Sequence, residues 1–236
     1  MTVHLNWVDR VGVITIDRPT RRNALDHATL LELLGVQREV NAAEPRCLVL
    51  TGAPPAFCSG ADLTGVESGE FLTTLAEVLA GFSELPIPTI AAIDGAALGA
   101  GTQLAIACDL RVATPGSVFG IPAVKLGLAV DQWTIDRLAR EFGASTARSM
   151  LLAASTYGAE ELHRSAGIHR LGDLHDAMQW ANELTKLAPA TIAAHKLGLA
   201  NDQRFEAAHQ AAWSSVDAAE GRAAFLEKRA PNFLGR

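Results

Sequence analysis

Short β-type runs alternate with helical segments through the first half of the chain, and this alternation restricts the possible fold more than any other feature. Val11–Ile16 and Cys47–Thr51 are rich in β-branched and aliphatic residues and end in turn formers, which predicts strands. Further candidate strands are residues 88–93, 109–113 and 117–119. After about residue 131 the strand pattern nearly disappears, and Gly and Pro residues separate helical segments. The sequence therefore predicts an α/β core followed by a helical C-terminal part.

Two helices are predicted within the core by the spacing of their apolar residues. The segment from Asp26 to Val40 places its leucines near helical spacing, and Asp26 is of a residue type that favours an N-cap. The segment from Ser68 to Leu85 is amphipathic and is followed by Pro86, which cannot continue a helix. Each helix falls between two predicted strands, as an α/β core requires.

Composition excludes several classes of protein. Of the 236 residues 49% are hydrophobic and 19% are charged, so the chain can bury a large core and is not intrinsically disordered. The net charge of −6 argues against a general nucleic-acid-binding protein, because phosphate neutralisation needs a basic surface. Cys47, Cys58 and Cys108 cannot form a disulfide framework and have no zinc-ligand spacing, so no metal is expected. With neither a signal peptide nor a membrane span in the sequence, we expect a cytoplasmic protein.

Two glycine-containing turns follow predicted strands and lead toward helical segments, at residues 57–63 (FCSGADL) and 94–101 (DGAALGAG). The second opens a short apolar helix whose first N–H groups lack intrahelical partners and could hold an anion or a developing oxyanion. A glycine turn before a buried helix is also typical of close packing, and both interpretations stand at this point. The sequence has no dinucleotide, P-loop or GxSxG pattern, so Cys58 and Ser59 have no motif support as nucleophiles.

Five motifs occur in order along nearly the whole chain, from about residue 3 to 234: RPTRRNAL (18–25), FCSGADL (57–63), DGAALGAG (94–101), CDLRVA (108–113) and FLEKR (225–229). Together they resemble the crotonase superfamily, the enoyl-CoA hydratase/isomerase family. The resemblance implies an α/β fold, a spiral of ββα units, with a crotonase core over residues 1–190 and a C-terminal helical trimerisation region over residues 191–236. It also implies acyl-CoA as the small-molecule ligand and a homotrimer or a dimer of trimers.

The resemblance assigns functional residues as well. Crotonases bind the thioester oxygen with two backbone N–H groups, and by motif position these belong here to Ala61 and Ala100. Coenzyme A enters as part of the thioester ligand, so no separate cofactor is expected. Its implied contacts are Ala61, Asp62, Leu63 and Thr64 along the pantetheine and adenine, Arg21 or Arg22 at the phosphates, and Lys228 or Arg229 across a subunit boundary. Each of these basic residues could equally be a solvated surface charge.

Two positions depart from the pattern of the family's hydratases. Those enzymes place one glutamate after the second glycine motif and another after the proline of a Phe-Gly-x-Pro-Glu turn, whereas this chain has Gln103 and Ala123 there. Hydration needs a base that activates water and an acid that protonates the α-carbon, and neither an amide nor a methyl group transfers protons. We therefore expect an acyl-CoA-binding protein that keeps the oxyanion hole but hydrates weakly or not at all.

Asp131 is the carboxylate that could substitute. It lies where dienoyl-CoA isomerases of the superfamily carry an aspartate, so the alternative function is an enoyl- or dienoyl-CoA double-bond isomerase in which Asp131 shuttles a proton. Asp131 also precedes a helical run, and an aspartate that caps a helix is a poor proton carrier. Gln103 and Trp133 also have two interpretations each. The Gln103 amide either contacts the acyl region or bonds to free backbone groups of its helix. Trp133 either lines the acyl pocket or anchors its helix in the core.

Overall fold

A mainly parallel sheet forms the centre of the fold. The computed structural model describes residues 1–64 and 69–235. Its strands are β1 (Val3–Val8), β2 (Val11–Ile16), β3 (Cys47–Gly52), β4 (Thr89–Ile93), β5 (Ala96–Leu98), β6 (Leu110–Ala113), β7 (Val118–Gly120), β8 (Tyr157–Gly158) and β9 (Arg170–Leu171). The main sheet has the order β1-β2-β3-β4-β6-β9, and a smaller sheet has the order β5-β7-β8. The pairing of β1 with β2 is antiparallel, and the other neighbours in the main sheet are parallel.

Helices cover both faces of the main sheet and continue to the C-terminus. They are α1 (His27–Ala43), α2 (Gly69–Glu84), α3 (Ala100–Ala107), α4 (Gln132–Phe142), α5 (Ala144–Ala153), α6 (Ala159–Arg164), α7 (Leu174–Leu184), α8 (Pro189–Leu199), α9 (Phe205–Trp213) and α10 (Val216–Glu227). Short 3-10 helices span Pro19–Arg21 and Pro122–Leu126. None of the helices within the described ranges has the length and apolar character needed to cross a membrane.

The alternation of side chains along the central strands creates two apolar layers. Leu48 and Leu50 of β3 belong to a large cluster that includes residues of α1, α2 and α3. Val49, between them, points to the opposite face and packs in a second cluster with Ala177 and Ala181 of α7. Because successive residues of a strand face opposite sides, a run that is apolar at every position suits a strand covered on both faces.

The structure confirms the α/β core with a helical C-terminal part. The Asp26 carboxylate accepts a hydrogen bond from the Thr29 N–H at 2.8 Å, so Asp26 is the predicted N-cap of α1. The predicted start of the second helix at Ser68 lies outside the described residues. The division into a core of residues 1–190 and a region of residues 191–236 remains a prediction, and its boundary falls inside α8.

Residues 94–101 differ from the expectation of one glycine turn. They contain the strand β5, which pairs in parallel with β7, and the helix α3 already begins at Ala100, inside the motif. The cause is a long-range pairing, since Ala97 forms a β-bridge with Cys58 of the first glycine turn. Such a short strand gives little local signal, because its partners are distant in sequence.

Candidate functional site

The two glycine turns lie side by side. The Cys58 N–H donates to the Ala96 carbonyl, and the Leu98 N–H donates to the Cys58 carbonyl, both at 2.9 Å. A side chain at position 101 would place its Cβ only 2.1 Å from the Cys58 carbonyl oxygen, so glycine is required there for the backbones to approach. Gly60 has φ of +116° and a Cβ there would lie 3.9 Å from the Ala100 nitrogen. The two sequence motifs therefore form one local structure.

At this junction Ala61 and Ala100 each have a backbone N–H with no acceptor among the residues that the structure describes. On one side of Ala61, the Leu25 N–H donates to the Gly60 carbonyl and the Asp62 N–H donates to the Leu25 carbonyl, at 2.8 and 2.7 Å. In such a parallel bridge, the N–H of the central residue, Ala61, points away from the partner chain. Ala100 is the first residue of α3, where a helix provides no acceptor. Neither N–H donates a hydrogen bond to any atom of residues 1–64 or 69–235.

Both alanines line an apolar cavity of about 400 Å³. One wall is a face of α2, formed by Phe71, Leu72, Leu75, Ala76 and Leu79. Further lining comes from the segment of residues 121–131. Among the lining residues that the structure describes, only Ser59, Gln103 and Asp131 have polar side chains. The arrangement suits a ligand with an apolar chain and one hydrogen-bond acceptor near the two N–H groups.

Gln103, Ala123 and Asp131 all line this cavity. The Gln103 Nε2 donates to the Thr134 Oγ1 at 2.7 Å, so its amide is held by a side chain of α4 and not by the backbone of α3. The Asp131 Oδ1 accepts from the Thr134 N–H at 3.0 Å, which makes Asp131 the N-cap of α4. The capping interpretation of Asp131 is therefore confirmed, while its position at the cavity wall leaves the acid/base role a prediction.

The coenzyme A positions of the first turn divide into two groups. Leu63 lines the cavity together with Ala61. Asp62 and Thr64 do not; the Thr64 Oγ1 donates to the Asp62 Oδ1 at 2.6 Å, and the Arg18 Nη2 lies 3.5 Å from the Asp62 Oδ2. The hydrogen bonds from Thr64, together with the nearby charges of Arg21 and Arg18, lower the pKa of Asp62. Asp62 therefore stays ionised and holds the turn in place.

The predicted basic residues lie in two separate places. Arg21 and Arg22 are exposed beside the first turn, where the Ser59 N–H donates to the Arg22 carbonyl at 3.0 Å. Neither arginine side chain forms an ion pair with a residue that the structure describes. Lys228 and Arg229 follow α10 and do not line the cavity of their own chain. Arg229 is also paired with two carboxylates, those of Glu220 and Glu227, each at 2.6 Å.

Other candidate groups take no part in the cavity. Trp133 is half-buried and packs against the main core, and it is not among the cavity-lining residues, which favours the anchoring interpretation. Burial raises the pKa of the Cys58 thiol to about 12, so no thiolate is available beside the turns. Within residues 1–64 and 69–235 no group of three or more His, Cys, Asp or Glu side chains is placed to hold a metal ion.

Sequence reasoning missed the wall that α2 contributes. The helix was predicted as amphipathic, but its apolar face was not assigned to a ligand cavity. The available signal in the sequence is an apolar residue, Leu72, at a position outside the buried stripe of α2. The structure leaves this side chain 62% exposed. In a helix that only supports a core, such a position is more often polar.

Comparison with known proteins identifies relatives that cover nearly the whole chain. The family model described as enoyl-CoA hydratase/isomerase matches residues 8–236. A Mycobacterium tuberculosis protein named as a probable enoyl-CoA hydratase, echA6, is 39% identical over 241 residues, which is 99% of both chains. The Escherichia coli 2,3-dehydroadipyl-CoA hydratase is 32% identical over 96% of both chains.

The fold is also similar to solved structures over its full length. The crystal structure of an enoyl-CoA hydratase from Bacillus anthracis superposes with a TM-score of 0.91 at 28% identity and covers 100% of both chains. The match of the family model, the relatives above 30% identity and this superposition agree with the order of the five motifs. The chain belongs to the enoyl-CoA hydratase/isomerase family, within the crotonase superfamily.

Proposed function

We propose that this protein binds acyl-CoA thioesters through an oxyanion hole formed by the N–H groups of Ala61 and Ala100, and that it hydrates enoyl-CoA weakly or not at all. The observation that carries the proposal is the pair of N–H groups that have no acceptor among the described residues and that belong to two residues lining the same apolar cavity. A thioester supplies what this cavity fits, a carbonyl oxygen attached to an apolar chain. Hydrogen-bond donors fixed by the backbone need no reorganisation when such an oxygen binds.

The weak hydration follows from two other residues that line the cavity. Gln103 and Ala123 line the cavity at the positions where the family's hydratases carry glutamates. A positioned acid or base typically contributes about 10²–10⁴-fold to a rate, so the loss of both predicts a severe defect in hydration. A turnover of crotonyl-CoA at about 10 s⁻¹ or more, the ordinary range for enzymes, would contradict this part of the proposal.

The coenzyme A end of the ligand would lie on the outer side of the first turn. Arg21 and Arg22 are exposed there without ion-pair partners among the described residues, so either can meet a phosphate. Lys228 and Arg229 would approach from a neighbouring copy in a homotrimer or a dimer of trimers. Arg229 would first have to exchange its carboxylate partners Glu220 and Glu227 for phosphate. We place this acyl-CoA protein in the cytoplasm.

The oxyanion hole can be tested by removing one N–H without removing the helix. Ala100 is the first residue of α3, a position where proline is tolerated because its N–H has no helical partner. We expect Ala100→Pro to weaken the binding of butyryl-CoA by about 0.5–1.5 kcal/mol, the value of one hydrogen bond, as measured by isothermal titration calorimetry. Ala100→Gly, which keeps the N–H, is the matched control.

A second ligand separates the hydrogen bond from general damage to the site. S-butyl-CoA, a thioether, has the same chain length but no carbonyl oxygen. Its affinity should be the same for the wild type and for Ala100→Pro. Equal losses for the thioester and the thioether would show that the proline disturbs the cavity, and an unchanged thioester affinity would remove Ala100 from the oxyanion hole.

One observation favours a second function, the isomerase. The Asp131 Oδ2 has no hydrogen-bond partner among the described residues, while Oδ1 caps α4 and the residue lines the cavity. A carboxylate with one free oxygen at the acyl chain could carry a proton between the α- and γ-carbons of an enoyl group. Isomerisation would then need only the oxyanion hole and Asp131.

A further inference from the structure

Arg18 joins three points beside the first glycine turn. It lies between β2 and the 3-10 helix Pro19–Arg21, and its side chain is only 14% exposed. Its guanidinium donates to the Ala24 carbonyl and contacts the Asp26 Oδ2 at 2.7 Å and the Asp62 Oδ2 at 3.5 Å. Ala24 and Asp26 belong to the segment that leads into α1, whereas Asp62 belongs to the turn. One side chain therefore connects two segments that are distant in sequence.

The contacts of Arg18 surround the bridge that orients the Ala61 N–H. Ala61 forms this parallel bridge with Leu25. Two of the contacted residues flank Leu25, and the third, Asp62, directly follows Ala61. The guanidinium thus holds both segments of the bridge at the residues next to the bridged pair. A displacement of either segment would change the direction in which the Ala61 N–H points.

The two carboxylates that Arg18 contacts divide their oxygens in the same way. Asp26 uses Oδ1 to cap α1 through the Thr29 N–H, and Asp62 uses Oδ1 to accept the hydroxyl and the N–H of Thr64. In both residues Oδ2 is the oxygen that meets Arg18, and both meet the same nitrogen, Nη2. Their negative charges therefore lie close together, and the guanidinium between them offsets their repulsion.

The backbone of Arg18 is fixed as well, so the guanidinium has a rigid base. The Arg18 N–H donates to the Asn23 Oδ1 at 2.8 Å, and the Asn23 N–H donates to the Arg18 carbonyl at 3.0 Å. Asn23 is buried, and its Nδ2 donates to the carbonyls of Ala53 and Ala56 at 2.7 and 2.6 Å. Arg18 is therefore tied through Asn23 to one part of the backbone and through its guanidinium to the turn.

We propose that Arg18 is a positioning residue of the oxyanion hole: by holding Asp62 against the segment that leads into α1, it fixes the direction of the Ala61 N–H. This inference rests on the proposed function, because it needs a thioester oxygen at Ala61 and Ala100. Arg18 does not line the cavity, so it acts on the ligand through the turn and not by contact. A hydrogen bond weakens steeply when its donor leaves alignment, so a loosened turn should polarise the carbonyl less.

The test measures the carbonyl of the ligand rather than stability alone. Butyryl-CoA, with and without a heavy carbon isotope at the thioester carbonyl, is bound to each protein, and infrared difference spectra give the stretching frequency of the bound carbonyl. Donors that polarise the carbonyl lower this frequency relative to that of the free ligand. Arg18→Met removes the guanidinium and keeps an unbranched side chain. Arg46→Met is the matched control, because Arg46 is buried, donates to the Phe233 carbonyl and does not line the cavity.

We expect the wild type to lower the carbonyl frequency of bound butyryl-CoA, and Arg18→Met to return it toward the value of the free ligand. In calorimetry, Arg18→Met should bind butyryl-CoA roughly twofold to tenfold more weakly, the value of one hydrogen bond, and should change the affinity for the thioether S-butyl-CoA less than about twofold. Arg46→Met should keep the wild-type frequency and the wild-type ratio of the two affinities, even if it is less stable.

A wild-type carbonyl frequency in Arg18→Met would overturn the proposal, and so would equal losses for the thioester and the thioether, which would show general damage to the site. Arg18→Lys covers the case in which Arg18→Met does not fold, because an ammonium keeps the charge but cannot span the three contacts of a guanidinium. Its carbonyl frequency should shift in the same direction, and a wild-type value would again contradict the role of Arg18. A wild-type protein that does not bind butyryl-CoA, or binds it without lowering its carbonyl frequency, would instead refute the proposed function.

Discussion

Asp131 lies both at the start of α4 and at the cavity wall, and its stability role can be measured apart from any chemistry. Its Oδ1 accepts the Thr134 N–H at 3.0 Å, so removal of the carboxylate leaves a helix end without its cap. We expect Asp131→Ala to lower the free energy of unfolding by about 0.5–2 kcal/mol, measured by urea denaturation. Asp131→Asn should lose much less, because asparagine also caps helices. Equal losses for both variants would contradict the capping role.

The same pair of variants tests the chemistry. If Asp131 carries a proton, Asp131→Asn should abolish isomerisation of a 3-enoyl-CoA while the free energy of unfolding stays close to that of the wild type. If Asp131 only caps, both variants should bind acyl-CoA like the wild type, and any isomerase activity should survive in Asp131→Asn. Full turnover by Asp131→Asn would show that Asp131 is not the proton carrier of the isomerisation.

His169 predicts a dependence of stability on pH. Its Nδ1 accepts the Arg111 N–H at 3.2 Å, and burial together with the charge of Arg111 lowers the pKa of His169 to about 4. In the unfolded chain the pKa is about 6.5, so between these values the unfolded state binds the extra proton. The neutral imidazole therefore makes its full contribution to the free energy of unfolding above about pH 6.5, and this contribution is lost as the pH falls toward 4.

A variant that cannot titrate isolates this effect. In His169→Asn the amide oxygen can accept the Arg111 N–H at every pH. We expect the wild type to lose more unfolding free energy than His169→Asn between pH 7 and pH 4.5, as measured by urea denaturation at each pH. Parallel pH profiles for the two proteins would show that His169 keeps its ordinary pKa.

At the scale of single residues, the sequence shows which chemical group each position carries, but it does not show which partner that group contacts. It shows that position 103 carries an amide in place of a carboxylate, and from that the loss of proton transfer follows. It does not show that the Gln103 amide is held by Thr134, because that residue is 31 positions away and on a different helix. Hydrogen bonds between distant elements depend on how the helices pack, which no local pattern contains.

Among the elements, the strands with strong local signals were predicted well. Val11–Ile16 has the predicted bounds, and β3 and β4 differ from the predicted runs by one residue at one end. The strand β5 was missed because it has only three residues and its position depends on its pairing with β7 and on the bridge to Cys58. The cap of α1 was predicted because an N-cap interaction is local, joining Asp26 to a residue three positions away.

The buried carboxylate of Asp217 holds the end of the tail after α10, and Glu220 accepts the Asn232 N–H earlier in the tail at 2.8 Å. Asp217 is buried and accepts the N–H groups of Leu234 and Gly235 at 2.7 and 2.8 Å, while the Arg46 Nη2 donates to the Phe233 carbonyl at 2.7 Å. Removal of Asp217 leaves the N–H groups of Leu234 and Gly235 without this charged acceptor. We therefore expect Asp217→Ala to reduce the free energy of unfolding by about 1–3 kcal/mol.

The effect on the tail should be local as well as global. Amide hydrogen exchange in Asp217→Ala should increase at residues 232–235 more than in α1 or β3. Glu206→Ala is the control, because Glu206 is an exposed residue of α9 that does not contact the tail. Wild-type exchange of residues 232–235 in Asp217→Ala would show that other contacts hold the tail.

At the scale of the whole molecule, the cavity is the feature that the sequence alone predicts least. Its lining comes from the two glycine turns, α2, α3 and residues 121–131, which are joined only by the folded sheet. The motifs predict which backbone groups meet the thioester, because a turn is a local structure. The size of the cavity follows from how α2, α3 and the segment of residues 121–131 pack together, which no local pattern contains.

The C-terminal helices carry an apolar surface that a single copy leaves uncovered. Phe225 and Leu226 of α10 are 83% and 80% exposed, and Leu199 and Trp213 of α8 and α9 are also exposed. A monomer in water gains little from such a surface, whereas contact between copies would bury it. We expect a homotrimer or a dimer of trimers with this surface at the interface, as measured by light scattering at micromolar concentration.

The double variant Phe225→Asp, Leu226→Asp should shift the mass toward the monomer, because it places two charges in the contact. Leu31→Asp, on the exposed side of α1, should leave the mass unchanged, and a monomeric wild type would contradict the expected assembly.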